Sequence, residues 1–309
     1  MRPMSGKLIE KKVLKAIEEL GYVPNAAART LVTGKTHVIA MFVSDISDYY
    51  FGSIIKEVNT QLIKNGYLLA LSICGDDDEG NKAFLNQNRV DGVILLVPNK
   101  ENDYINILKN QKVPFVVVDN QTIGTDITSV LSDNIIGGYM AVKHLLDLGH
   151  TRIGLIGATP EGLATMERQM GAIKALTEAS LKPAGIEYGF YDQVTGYKTI
   201  MKWYENGQLP TAVFAFDDHI ALGAINAAKD LGLKVPEDLS VCGYDDSPLA
   251  DSFTPKITSV RQPAEEMARN AVRQLLSLIN RQSEASFAVK LPPKLMVKES
   301  TMKPRLNNR

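Results

Sequence analysis

The run His37–Asp45, HVIAMFVSD, is followed closely by FGSIIKEVNTQLIKNG (51–66) and then by YLLALSICGD (67–76). A near-continuous apolar stretch, an amphipathic stretch and a second apolar stretch read as strand, helix, strand. The alternation continues through RVDGVILLVPN (89–99) and VPFVVVDN (113–120), with a helix expected over about 135–148. It then restarts with RIGLIGATP (152–160), a helix around 167–179, IEYGFYD (186–192), TAVFAFDD (211–218), a helix at 220–231 and LSVCGYDD (239–246). Strands apolar on both faces belong in parallel sheets covered by helices on either side. Two rounds of the pattern predict an α/β fold of two doubly wound parallel-sheet domains with a cleft between them.

A chain of 309 residues is long enough for two such cores. Its 45% hydrophobic and 22% charged residues describe a soluble protein. No apolar run has the length of a membrane span, and the start, MRPMSGKLIEKK, lacks the apolar core of an export signal. Cys74 and Cys242 both sit in strand-like runs, which suits core thiols in a reducing cytoplasm, and no metal-ligand spacing is present. The expected location is therefore cytoplasmic, with neither membrane partner nor metal nor cofactor. The net charge of −1 is uneven: residues 1–36 carry seven Lys or Arg against three Glu, and the remainder 27 basic against 32 acidic residues. A basic arm on an acidic body is a footprint of nucleic-acid contact, although a solvated helix face gives the same count.

Most of the strands end in an acid or amide: Asp45, Asn99, Asp119, Asp192, Asp217–Asp218 and Asp245–Asp246. Parallel sheets bind ligands beyond the carboxyl ends of their strands, so these groups are aimed towards one crevice. Tyr49, Tyr50 and Phe51 follow the first strand, Tyr191 accompanies Asp192, and Phe253 follows the last. Carboxylates accept paired hydrogen bonds from vicinal hydroxyls while flat rings cover the C–H faces of a sugar, so a small polyhydroxylated ligand suits the set. Some of the acids serve instead as helix caps, Asp133 and Asp218 in particular. Arg168 lies near the start of the helix LATMERQMGAIKAL (163–176), whose apolar positions Met170, Ile173, Ala175 and Leu176 are expected to face the core. A cation there opposes the helix dipole, which suggests a partner in the cleft, with Glu161 or Glu167 as local alternatives.

Nothing in the chain reads as catalytic machinery: there is no P-loop, no G-x-G-x-x-G after the first strand, no G-x-S-x-G and no H-E-x-x-H. The four histidines (His37, His144, His150 and His219) are scattered, and His144 and His150 sit at a helix end where packing explains them. A polyol-binding cleft without nucleophile or metal reads as a sensor rather than an enzyme.

Several stretches carry a resemblance to a known family. They are AIEELGYVPNAAARTLVTGKT (16–36), VSDISDYYF (43–51), RVDGVIL (89–95), SDNIIGGYMAVKHLLDLGHTRIGLIG (132–157), DDHIALGAINAAKDLGLKVPEDLSVCGYDD (217–246), ITSVRQP (257–263) and KLMVKEST (294–301). In this order and spacing the chain resembles the lactose/galactose-repressor (LacI/GalR) type of bacterial transcription regulators. The resemblance implies a dimeric core of the periplasmic-binding-protein-like type I, sensing a small sugar, polyol or nucleoside. It implies three crossings between subdomains, with 37–138 plus 263–293 forming the first and 139–262 plus 294–309 the second. It places ligand contacts on Asp48, Tyr49, Tyr50 and Phe51, and on Arg168, Tyr191, Asp217 and Asp245. Many relatives carry Asn where this chain has Asp217, and an acid there alters ligand preference or favours a basic ligand.

The resemblance also implies that Pro24–Leu31, PNAAARTL, is a hinge helix that folds on operator DNA. Its Leu31 would wedge into the minor groove, and Asn25, Ala28 and Arg29 would lie against the DNA. Eight residues are too few for a helix stable alone in water, consistent with folding on contact. Residues 1–36 are thus expected to form a partial DNA-binding headpiece, with a third helix at 8–21 and the hinge helix at 24–32. The family's first two headpiece helices have no counterpart here, which leaves the stripe Ile9, Val13, Leu14, Ile17 and Leu20 without a packing partner. A misplaced start, a true truncation and mixed dimers with a complete relative each account for this, and the orphaned stripe favours the first. As written, the chain is expected to bind specific DNA poorly. A sugar-binding protein of a transport or sensing system is the runner-up, although it would need export and would leave the hinge segment unexplained.

Overall fold

The computed structural model describes residues 32–46, 49–75, 79–85, 89–96, 101–119, 127–281 and 288–305, with the isolated positions 15, 16, 19 and 30. The headpiece and hinge helices expected at 8–21 and 24–32 therefore lie almost wholly outside the described residues. Strand and helix alternate from the start: β1 (Val38–Val43), α1 (Tyr49–Lys64), β2 (Leu68–Ile73), α2 (Glu79–Leu85), β3 (Gly92–Leu96), α3 (Glu101–Gln111), β4 (Phe115–Val118) and β5 (Ser129–Ser132). There follow α4 (Asn134–Asp147), β6 (Ile153–Gly157), α5 (Leu163–Glu178), β7 (Gly185–Tyr188), α6 (Gln193–Glu205), β8 (Ala212–Ala215), α7 (Asp218–Asp230), β9 (Ser240–Asp245), α8 (Pro248–Ser252) and β10 (Thr258–Arg261). The chain closes with α9 (Ala264–Ile279), β11 (Ala288–Leu291) and β12 (Lys294–Met296).

These strands form two six-stranded sheets, ordered β11-β5-β4-β3-β1-β2 and β12-β10-β9-β8-β6-β7. The chain leaves the first sheet after β5, returns to it after β10, and crosses again between β11 and β12. Pairing is parallel except at β10–β12, where Ser259 faces Met296 and Arg261 faces Lys294 in antiparallel register. That pair departs from the all-parallel expectation because β12 enters from the crossing itself, with no helix to reverse its direction.

Each sheet is covered on both faces. On the first, α1 seats Tyr50, Ile54, Val58 and Leu62, spaced one helical turn apart, beside Met267, Ala271 and Leu275 of α9. The opposite face takes Tyr104 and Leu108 of α3 against Phe42, Leu95 and Val117. On the second sheet, α4 and α5 pack over Leu155, Phe214 and Cys242, while α6 and α7 cover Ile156, Val213 and Val241.

The contact between α4 and α5 decides where Arg168 points. A Cβ on Gly138 would run into the Arg168 carbonyl, and one on Gly171 into the Ile135 carbonyl. With both positions glycine, the two backbones touch. The buried face of α5 is consequently Ala164, Thr165, Arg168, Gly171, Ala172, Ala175 and Leu176. Met170 and Ile173, expected to face the core, are 59% and 36% exposed. At the crossing point itself only glycine fits against α4, so the helix turns Gly171 and its small neighbours inward.

The entry to β1 is also pinned. Asp91 accepts hydrogen bonds from the Thr36 amide (2.7 Å), the Thr36 hydroxyl (2.7 Å) and the His37 amide (3.0 Å). The segment leading into the first sheet is thus fastened to the turn before β3.

Replacing Gly171 by Ala forces α4 and α5 apart, and we expect a loss of about 1–3 kcal/mol. Urea denaturation reads this as a lower midpoint at constant slope; an unchanged midpoint would mean that the contact is looser than described.

Candidate ligand-binding cleft

Between the strand ends of the two sheets lies a cavity of about 310 Å³, within the size range of small-molecule sites. The first sheet contributes Ser44 after β1, Tyr50 and Phe51 from the first turn of α1, and Asp119 after β4. The second contributes Thr159, Arg168, Tyr191, Asp217 and Asp245, and Gln262 enters from the crossing after β10. Of the residues singled out in the sequence, Tyr50, Phe51, Asp119, Arg168, Tyr191, Asp217 and Asp245 come together on these walls. Tyr49 lines an adjoining groove instead, because it precedes Tyr50 on the helix and so faces about 100° away. Phe253 lines neither space: it follows the short α8, with 40% of its surface exposed. Asp48, Asn25, Ala28, Arg29 and Leu31 lie outside the described residues.

Arg168 is 4% exposed. Its Nε donates to Asn134 Oδ1 (2.9 Å) and its Nη1 to the Phe216 carbonyl. Nη2 lies 3.7 Å from Asp245 Oδ1, an ion pair beyond hydrogen-bond range. The guanidinium also stacks on Tyr244, with Cζ 3.7 Å from the ring centroid. Burial disfavours its charge, but the field of Asp245 and its neighbours more than offsets this and raises the pKa above arginine's ordinary value. Arg168 therefore keeps its positive charge among the acids of the cleft. Neither Glu161 nor Glu167 is the partner; Glu167 pairs with Lys290 at 2.9 Å.

The acids divide by role. Asp119 and Asp245 have left-handed backbones (φ 54° and 96°), which turn the chain sharply at the strand ends. Aspartate tolerates that region better than most residues, and such strain concentrates at functional sites. Gln262 Nε2 donates to Asp245 Oδ1 at 2.7 Å. Asp217 caps α7 by accepting from the Ile220 amide (2.7 Å), and its other oxygen lies 3.4 Å from His219 Nδ1. Asp192 likewise caps α6 through the Thr195 amide (2.8 Å), and Asp133 caps α4 through the Ile136 amide (3.0 Å).

The cap expected of Asp218 is supplied by Asp217 one residue earlier. Asp218 instead accepts from Ser259 Oγ (2.6 Å) and the Ser247 amide (2.7 Å), tying α7 to β10 and α8. Asp246 pairs with Arg261 and Lys298, each at 2.6 Å, and Asp45 is exposed outside the cavity. Tyr50, 7% exposed, has a phenol pKa raised by burial and then by Asp119 and Asp245, so it remains a neutral donor. Sequence reading missed Ser44, Thr159 and Gln262. Ser44 and Gln262 lie in the VSDISDYYF and ITSVRQP stretches, which served only the resemblance.

The profile of the periplasmic binding protein-like domain matches residues 142–301. The HTH-type transcriptional repressor PurR of Pasteurella multocida is 35% identical over 297 residues, spanning 94% of this chain and 89% of that protein. The chain belongs to the LacI/GalR family of transcription regulators. Its fold is accordingly the two-sheet, periplasmic-binding-protein-like type I. Among solved structures, the CelR–cellobiose complex is similar at TM-score 0.80 and 30% identity, covering 96% of this chain and 92% of that one. The lac repressor dimer bound to operator and the anti-inducer ONPF is similar at TM-score 0.85 and 26% identity, covering 97% and 92%. Members of this family regulate transcription and are not enzymes. Among the described residues no helix is long and apolar enough to cross a membrane, and no group of three or more His, Cys, Asp or Glu could hold a metal ion.

Asp218 gives the region a pH signature. Burial pushes its carboxyl up to about 7, against about 3.9 for an unperturbed aspartate. The folded chain then holds that proton more tightly than the unfolded one. Its stabilising contribution is complete below the unfolded value and is lost as pH rises through about 7. The Tm of the wild type relative to Asp218→Asn should fall between pH 4 and 7; a difference flat with pH would contradict the burial of this group.

Proposed function

We propose that this chain is an effector-responsive transcription regulator, a repressor in action, whose cleft closes on a small neutral sugar or polyol. The observation that carries the reading is the buried Arg168, held by Asn134 and the Phe216 carbonyl with its Nη2 end beside Asp245 in the cavity. A guanidinium fixed beside Asp245, in a cavity also lined by Asp119 and Asp217, offers donors and acceptors together. Phe51 and Tyr191 supply ring surface for the C–H faces of a sugar. The solved CelR–cellobiose complex supports a carbohydrate. A nucleoside is the second ligand class that the rings would accept.

The two lobes are taken as 37–138 plus 263–293 and 139–262 plus 294–309. A ligand bridging them favours closure about the three crossings. Asp91 fastens Thr36 and His37 to the first lobe, so movement of that lobe carries the preceding tether with it. In a dimer, that shift sets the spacing of two tethers and hence whether Asn25, Ala28, Arg29 and Leu31 of each can engage the operator. Effector and operator then influence one another reciprocally, with either sign allowed. The setting for this work is the cytoplasm.

Exposed apolar groups on two edge strands support a homodimer. Leu68, Leu71 and Ile73 project from β2 and Tyr188 from β7, with Phe190 and Val194 just beyond it; Leu68 is 68% and Phe190 72% exposed. Clusters of this kind mark interaction surfaces. Light scattering is expected to give a dimer for the wild type and a monomer for Leu68→Asp/Ile73→Asp. A wild type that stays monomeric at high concentration would refute the dimer.

The effector is found by thermal-shift screening of monosaccharides, polyols and nucleosides, followed by calorimetry. A ligand at a hundred times its Kd stabilises the chain by about 2.7 kcal/mol. Arg168→Ala and Asp245→Asn should each weaken binding about a hundredfold, with folding checked by circular dichroism. If the variants fold and bind as the wild type does, the cleft is not the site.

A further inference from the structure

The first crossing between the sheets runs from Ser132, the last residue of β5, to Asn134, the first of α4. Beside it, β11 pairs with β5 so that Lys290 faces Leu131 and Leu291 faces Ser132. The Leu291 carbonyl accepts from the Asp133 amide at 2.9 Å. Lys290 thus belongs to the first sheet and precedes the residue that fastens β11 to the crossing.

Its Nζ reaches over to Glu167 Oε1 at 2.9 Å, on α5 of the second sheet. Glu167 is held firmly to the far side of the crossing, because α4 and α5 touch backbone to backbone through Gly138 and Gly171. The carboxylate side chain is 15% exposed and the lysine 41%. A pair so placed is strong enough to bias a motion and exposed enough to be screened by salt.

The other carboxylate oxygen, Oε2, faces Asn134 Nδ2 at 3.5 Å, while Asn134 Oδ1 accepts from Arg168 Nε at 2.9 Å. One amide turns its donor to Glu167 and its acceptor to Arg168, the orientation that both neighbours require. Lys290, Glu167, Asn134 and Arg168 therefore form a line from an edge strand of the first sheet to the arginine of the cleft. Neither Glu167 nor Lys290 lines the inner cavity, so contact with a ligand does not account for them.

We infer that the Glu167–Lys290 pair is a latch between the lobes, holding them at the separation seen in the structure. Rotation at the crossing carries Lys290 with the first sheet and Glu167 with the second. It draws the two charges apart and leaves Asn134, which orients Arg168, with one restraint fewer. Glu167 is a positioning residue that touches no ligand, and its role is independent of what the cleft binds.

The test reads lobe separation by fluorescence energy transfer in the full chain, between dyes on Lys109→Cys of α3 and Glu205→Cys of α6. Both positions are exposed, one over each sheet, while Cys74 and Cys242 are buried. Labelled chain is diluted into unlabelled chain so that only transfer within one chain is read. Glu167→Gln and Lys290→Met are each expected to shift the balance of lobe separations about two- to fivefold, in the same direction. The double variant should match the single ones, because either change already removes the pair. Raising sodium chloride from about 0.05 M to about 1 M should reproduce the shift in the parent chain and leave Glu167→Gln unmoved. Circular dichroism checks folding of the variants, and the salt series on the parent chain stands without them. A balance unchanged by both substitutions and by salt, or single shifts that simply add in the double variant, would overturn the latch.

Discussion

The arrangement depends on keeping one positive charge dry. Removing a guanidinium from water costs several kcal/mol unless hydrogen bonds and an opposite charge replace the solvent. Around Arg168 those replacements come from four places: Asn134 at the start of α4, the Phe216 carbonyl after β8, the Tyr244 ring on β9 and the Asp245 carboxylate at its end. None of these groups works alone. They converge because α4 and α5 touch through Gly138 and Gly171, and because the left-handed backbone of Asp245 turns its strand end sharply. The fold of the second lobe can thus be seen as a device for presenting one cation to the cleft.

Linkage to the rest of the chain follows from topology. The same sheet ends that form the cleft are joined by three crossings, so a ligand bridging the lobes acts on every connection between them. The first lobe also holds the incoming segment through three hydrogen bonds to Asp91. A rigid attachment at that point would let a small relative movement of the lobes reach residues far from the ligand.

Much of this was legible in the sequence, for identifiable reasons. Long apolar runs such as HVIAMFVSD and RVDGVILL announce buried parallel strands, and of the acids that end such runs Asp119, Asp217 and Asp245 line the cleft while Asp45 does not. The short strands β5, β10, β11 and β12 were not legible. They have three or four residues each, and serines, threonine, lysines and arginine interrupt their apolar pattern. The inward face of α5 was misread because hydrophobicity favoured Met170 and Ile173, whereas close backbone contact demanded glycine and alanine. Tyr49 and Phe253 were grouped with the cleft by proximity in sequence, which fixes neither a side chain's azimuth on a helix nor its place after a short one. Gln262 escaped notice because an amide carries no charge pattern. Its place emerges only once its side chain is seen lining the cleft and donating to Asp245.

The most direct measurement is a crystal structure of the full chain with a sugar that raises its Tm. The account predicts sugar oxygens within about 3 Å of the Arg168 guanidinium and the Asp245 carboxylate, with the ring against Phe51 or Tyr191. A sugar seated elsewhere, with Arg168 still bonded only to protein groups, would contradict it.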